Sequence, residues 1–295
     1  MKRRAVLSLF VGMMAAAGSA AAASFEFPPL MQPQAAEHPG KLIWAELVTP
    51  DLAAAEHFYG GMFGWTFRDI RTGDTQYAIA MLGEAPVAGI VQRPLRPEKL
   101  TQPAWLTFLS VPNVHQAGQV ILAHGGKEVS APRAYRLRGQ QAMYADPQGA
   151  VFGILNSHSG DPPDVMAAHG EWIWSALMAR DPDSDAAFYQ NVFGFDVFEL
   201  PSDPRGEHLL LAGEEFARAS VNPLPRDDTQ PHWINFVRVN DVAASAKQAS
   251  SLGGRVLVEP HRDRYGGMMA LIADPAGAAI GIMDLNPEGG AGEAK

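Results

Sequence analysis

Apolar residues fall in short runs whose order repeats along the chain. Four β-like runs, LIWAELV (42–48), WLTFLSV (105–111), WIWSALM (172–178) and WINFVRV (233–239), each lead into an Asp or Asn. About three turns with Ala and aromatic residues at helical spacing follow each of them. Asp51, Asn113, Asp181 and Asp241 sit where a helix N-cap accepts bonds from the free amides of the first turn. Gly64, Gly126, Gly194 and Gly254, each 13 positions further on, are placed to close those helices. Runs such as YAIAML, QAMYAD, HLLLAG and MMALIAD then read as strands joined by short Gly turns. The pattern predicts four copies of β-α-β-β-β. A doubly wound parallel sheet is excluded, because it needs a helix after nearly every strand.

The copies group into two halves. Asp51, Phe58-Tyr59 and Phe63-Gly64 match Asp181, Phe188-Tyr189 and Phe193-Gly194, 130 residues apart. Gly125-Gly126 and Asp146-Pro147-Gln148-Gly149 match Gly253-Gly254 and Asp274-Pro275-Ala276-Gly277, 128 residues apart. A length of 295 residues fits two domains of ordinary size.

The termini depart from this pattern. Lys2, Arg3 and Arg4 precede a short apolar run, Ala5 to Ala17, and an Ala-rich stretch, the layout of a secretory signal peptide over 1–23 cut after Ala22 or Ala23. Either the general or the twin-arginine export route fits. Export implies a periplasmic or secreted protein. Residues 24–39 read as an extended arm, 158–169 as a linker rich in Pro, Gly and Asp, and 287–295 as a disordered tail. Losing the signal moves the net charge from -9 to about -12 (−9 − 3), which disfavours nucleic acid and anionic membranes as partners. Without any Cys there is no disulfide framework or thiolate chemistry.

The strand-Asp-FYxxxFG unit and the later GG…DPxG unit resemble the vicinal oxygen chelate superfamily, which includes glyoxalases, bleomycin-resistance proteins and extradiol dioxygenases. The resemblance covers roughly 40–157 and 170–286 and implies an α+β fold. Each of the two glyoxalase-like domains would pair two βαβββ units into a cupped mixed sheet. It also implies a small-molecule ligand, and in many members a divalent metal held by His, Glu or Gln on the cup floor. The matching positions here are Trp44, Leu106 and Gly153, then Trp174, Ile234 and Gly281, with Ala88-Gly89 and Ala217–Ser220 at the remaining place. None supplies such a ligand, so no metal or other cofactor is expected.

Alternation along β-like runs puts Leu42, Trp44, Glu46 and Val48 on one face. Glu46 is the candidate catalytic group, as a desolvated acid or base; pairing with a neighbouring Arg or lying at a rim accounts for it equally. Trp44, Phe108, Tyr144, Trp174 and Phe236 are candidate ligand-stacking residues, with packing as the plainer role. Arg238 is placed to bind a ligand carboxylate or to lie in solvent. Arg133, Tyr135, Arg136 and Arg138, and their parallel His261, Arg262 and Arg264, read as loops over the cups. His57 and His115 read as exposed helix residues. Three functions fit: a small-molecule-binding protein without metal, an enzyme using Glu46 or an unrecognised metal, and an interaction scaffold. A monomer or a homodimer is expected.

Overall fold

A computed structural model describes residues 27, 29, 30, 36–72, 75–95, 102–203, 206–226, 229–263 and 267–284. The segment expected to be a signal peptide, most of the arm and the tail lie outside these residues. Each repeat unit is a strand, a helix and three strands. The first half comprises β1 (Leu42–Thr49), α1 (Leu52–Phe63), β2 (Thr66–Thr72), β3 (Thr75–Leu82), β4 (Ala85–Gln92), β5 (Ala104–Ser110), α2 (Val114–Ala123), β6 (Lys127–Tyr135), β7 (Gly139–Ala145) and β8 (Val151–Ser157). The second comprises β9 (Trp172–Ala179), α3 (Pro182–Phe193), β10 (Asp196–Asp203), β11 (Gly206–Gly213), β12 (Phe216–Pro223), β13 (His232–Arg238), α4 (Val242–Ser251), β14 (Arg255–Arg262), β15 (Met268–Ala273) and β16 (Ala279–Met283).

Each half forms one eight-stranded mixed sheet, ordered β2-β3-β4-β1-β5-β8-β7-β6 and β10-β11-β12-β9-β13-β16-β15-β14. The α+β fold expected from the repeat is therefore present twice. All four helices start as predicted: Asp51, Asn113, Asp181 and Asp241 accept from the third residue beyond at 2.9–3.1 Å. Such caps are worth about 1 kcal/mol each. Gly64 and Gly194 close α1 and α3 in the left-handed conformation. The second units differ from expectation. There the left-handed residues are Gly125 and Gly253, one earlier than the glycines predicted. Gly254 is required by crowding instead, since a Cβ would lie 2.5 Å from the Ala273 carbonyl oxygen.

The halves join through their helix-bearing faces. One buried cluster unites α1 and the Ala45/Leu47 face of β1 with Val242, Ala246, Ala249 and the Ile280/Ile282 face of β16. A second unites α2 and Phe152 with α3, Leu177 and Trp233. At the centre, Thr107 and Ser175 hydroxyls both donate to Asn235 Oδ1, at 2.9 and 3.0 Å.

The repeated motifs meet across this join. Trp105 Nε1 donates to Tyr59 Oη, which donates to Asp274 Oδ2 (2.9 and 3.1 Å). Trp233, Tyr189 and Asp146 repeat the relay at 3.0 and 3.1 Å. In both DPxG turns the other oxygen, Oδ1, accepts from the turn backbone, including Gly149 and Ala150, or Gly277 and Ala278. One carboxylate thus shapes a turn in its own half and anchors a tyrosine of the other.

Asp185 breaks the symmetry. Its counterpart is Ala55, yet it is fully buried in α3 with neither carboxylate oxygen hydrogen-bonded. Burial first, and then the Asp146 carboxylate, push its pKa up to about 8. Below an ordinary aspartate pKa of about 4 both folded and unfolded chains hold this proton, and stability is unaffected. Above it only the folded chain does, so stability falls as pH rises until about 8, then levels off. Asp185→Ala should flatten that decline and raise stability at pH 9 by on the order of 2 kcal/mol, measured by urea unfolding across pH.

Candidate ligand cups

With the helix faces joined, the opposite faces of the two sheets form the cups. In the first, Trp44 and Glu46 of β1, Tyr77 of β3, Leu106 and Phe108 of β5, and Met143 of β7 point inward. In the second, Trp174, Ile234, Phe236, Met269, Leu271 and Met283 do so.

The expected alternation on β1 holds from Trp44 to Val48 but not at Leu42. A register shift between Leu42 and Trp44 turns Leu42 to the helix side, where it packs on the second join cluster. Tyr144 also leaves the cup. It packs on the helix face with Ala142 and Phe152, its hydroxyl 2.2 Å from where a Gly118 Cβ would stand. Trp44, Phe108 and Glu46 are brought together in one cup, and Trp174 and Phe236 in the other. Arg238 stands at the second rim, where Nη1 donates to the Ala167 carbonyl at 2.5 Å and ties down the linker. His57 and His115 are exposed, as expected.

The cup floors are built from aromatic–glycine contacts. Phe108 faces Trp44 on one side and Gly153 on the other, and Phe236 stands likewise between Trp174 and Gly281. A Cβ on Gly153 or Gly281 would lie 2.1 Å from the neighbouring Phe Cδ1. Any larger side chain there must displace the ring. At Gly89 a Cβ would fall 1.8 Å from Tyr77 Oη. In the second cup Trp174 Nε1 donates to Ser220 Oγ at 3.2 Å.

Glu46 is 5% exposed and accepts from Tyr77 Oη at 3.0 Å. Burial raises its pKa, while Tyr77, Arg138, Arg93 and Trp44 pull it back. Arg138, read from the sequence as part of a loop over this cup, lies inside it. The predicted loops over the cups are partly strands, β6 and β14, with Arg264 outside the described residues. Arg138 itself is fully buried, its guanidinium 3.8 Å from the Trp44 ring centroid. Burial lowers its pKa to about 10, against the pull of Tyr77 and Glu46.

The arm, read from the sequence only as extended, enters a cup. Phe27 and Leu30 are buried in the first cup, with Leu30 N donating to Ser159 Oγ at 3.1 Å. Phe27 meets Tyr77 and Tyr135 edge-on, at centroid distances of 5.3 and 4.7 Å. No signal in the sequence pairs an arm with a cup; only the apolar FEFPPL composition marks it. The second cup is less filled: Ile173, Trp174, Met178, Met269 and Leu271 stay partly exposed.

Among the described residues, one cluster has the composition of a metal site: His38, Asp164 and Glu214, outside both cups. Cations already neutralise it. Asp164 pairs with Arg218 at 2.5 Å and Lys41 at 2.8 Å. Burial opposes ionisation of Asp164, but these partners hold its pKa at about 2. The cluster fastens arm and linker to the tight turn between β11 and β12.

Paired eight-stranded cups joined through their helices are the architecture of a vicinal oxygen chelate protein. A profile of the Glyoxalase/Bleomycin resistance protein/Dioxygenase superfamily matches residues 41–154 and 173–282, and the chain belongs to that superfamily. It is 27% identical over 248 residues to a Mycobacterium tuberculosis (strain CDC 1551 / Oshkosh) protein named "Putative glyoxylase CFP32", spanning 83% of this chain and 95% of that one. It is 25% identical over 259 residues to the anthracycline biosynthesis protein DnrV of Streptomyces peucetius (84% and 94%). The fold is shared with the Mn(II)-bound glyoxalase from Novosphingobium aromaticivorans, at TM-score 0.61, 15% identity and coverage of 84% and 82%. The 2,3-dioxygenase LapB from Pseudomonas sp. KL28 is as similar, at TM-score 0.61, 13% identity and coverage of 86% and 96%.

The filled and unfilled cups should respond differently to overpacking. Gly153→Ala should cost about 1–3 kcal/mol in urea unfolding, because Phe108 has nowhere to move. Gly281→Ala should cost less, since Phe236 can swing toward its partly exposed neighbours.

Proposed function

We propose that this protein is an exported binder of a small apolar organic molecule, which it takes into the second cup without the superfamily's divalent metal. The observation that carries this reading is the donor set on the floors. Indole, aliphatic side chains and glycine stand at the positions where a metal would need nitrogen or oxygen ligands. Phe108 and Phe236 fill the space over the two glycines. The residues present do not fit a divalent cation, and no chemical step is routed through one.

The unfilled face supports the choice of cup. Trp174 offers a broad ring, and Met178, Met269 and Met283 offer adaptable thioether surface. A binding cup of this kind is mostly apolar with few polar groups, here Ser220 and the rim. Export is supported by the basic head, apolar run and Ala-rich exit of residues 1–23. Among the described residues no helix is long and apolar enough to cross a membrane.

A second reading, acid–base catalysis in the first cup, has the buried Glu46 carboxylate in its favour. That carboxylate is engaged by Tyr77, and Phe27 packs on the same tyrosine.

Titration with anilinonaphthalene sulfonate should find one site in the second cup, weakened by at least about tenfold in Trp174→Ala and unaffected by Glu46→Gln. Metal analysis of protein purified without chelators should find far less than one equivalent of Mn, Fe, Ni or Zn. A stoichiometric metal, or binding indifferent to Trp174, would overturn the proposal.

A further inference from the structure

We propose that the first cup is a second binding site, for a neutral planar aromatic molecule, which Phe27 of the protein's own arm occupies as an internal surrogate. The ring of Phe27 is 5% exposed and is held the way an aromatic guest is held. Tyr77 and Tyr135 present their edges or faces to it at 5.3 and 4.7 Å, with planes at 80° and 86°. Arg138 lies 5.4 Å from its centroid and 3.8 Å from that of Trp44, so one guanidinium bridges two rings. The side chains on the Phe27 ring come from β3, β6 and the turn after it, and Arg138 links them to Trp44 of β1.

The guest is attached differently from its cage. Phe27 lies outside both sheets, and its nearest described arm neighbours are fixed at separate points. Leu30 N donates to Ser159 Oγ, and the Ala36 carbonyl accepts from Asp161 N at 2.9 Å. Withdrawing the ring breaks no sheet ladder. It would also return water to the Arg138 guanidinium, whose burial is costly. A free aromatic molecule therefore competes with a ring tethered to the same chain, for which effective concentrations of about millimolar order are typical. The second half has no equivalent among the described residues, because the linker enters it from Gly170 through the Arg238 rim.

The test is fluorine NMR of the full chain labelled with para-fluorophenylalanine, the Phe27 signal being assigned by its loss in Phe27→Leu. Adding naphthol to the otherwise wild-type protein should shift that signal saturably toward its solvent-exposed position. The shift should persist in Trp174→Ala, which separates this site from the second cup. Phe27→Ala should bind naphthol about tenfold more tightly or better, because no surrogate has to leave. If the Phe27 signal does not move at naphthol concentrations that saturate Phe27→Ala, Phe27 is a fixed part of the core and the proposal fails. If the Phe27 signal moves in the wild-type protein but not in Trp174→Ala, the ligand acts from the second cup and the proposal also fails.

Discussion

The arrangement of this molecule depends on one reciprocal contact: the tyrosine of each half's first helix donates to the DPxG aspartate of the other half. That aspartate cannot be spared for either task. Its Oδ1 gathers the backbone amides of a tight turn, and its Oδ2 receives the tyrosine in a buried setting. Removing it would strand several buried donors at once, each costing about 1–3 kcal/mol. Two sequence motifs that look like independent family marks are thus the two ends of a single bond, made twice.

The consequence reaches the cups. Joining the halves through their helix faces leaves both concave faces turned away from the join. The cups share one pattern, Trp–Phe–Gly across three strands, but differ in filling. The first holds Arg138, Glu46 and the arm's Phe27 and is closed. The inner face of the second is mainly apolar, several side chains being half-buried, with Ser220 and its hydrogen-bonded neighbour Asn222 among its polar groups. The chain's own arm fills the first cup, while the second is less filled.

Much of this was legible in the sequence because it is local or repeated. The four Asp or Asn caps, the Gly closures of α1 and α3 and the two-half organisation follow from spacing alone. That Trp44 and Glu46 share a face follows from alternation, and that this face lines a cup, with Trp174 and Phe236 in the other, follows from the family resemblance. The misplacements have specific physical origins. Leu42 changes face because a strand irregularity shifts the parity by one, which alternation counting cannot detect. Tyr144 was misplaced because the face of β7 is set by its pairing with β8, where Tyr144 opposes Phe152 and Met143 opposes Gly153. The burial of Arg138 and of Phe27 is not legible, since each depends on a long-range encounter: a charged loop residue stacked on an indole, and an arm folded into a cup.

The most direct measurement is a double-mutant cycle on the join, using Tyr189→Phe, Asp146→Asn and the double variant in urea unfolding. A bond that couples the halves predicts an interaction energy of about 1–3 kcal/mol, the double variant losing less than the two singles added together. Strict additivity would mean that the tyrosine and the aspartate act independently, and the reciprocal join would not be what holds the two cups in place.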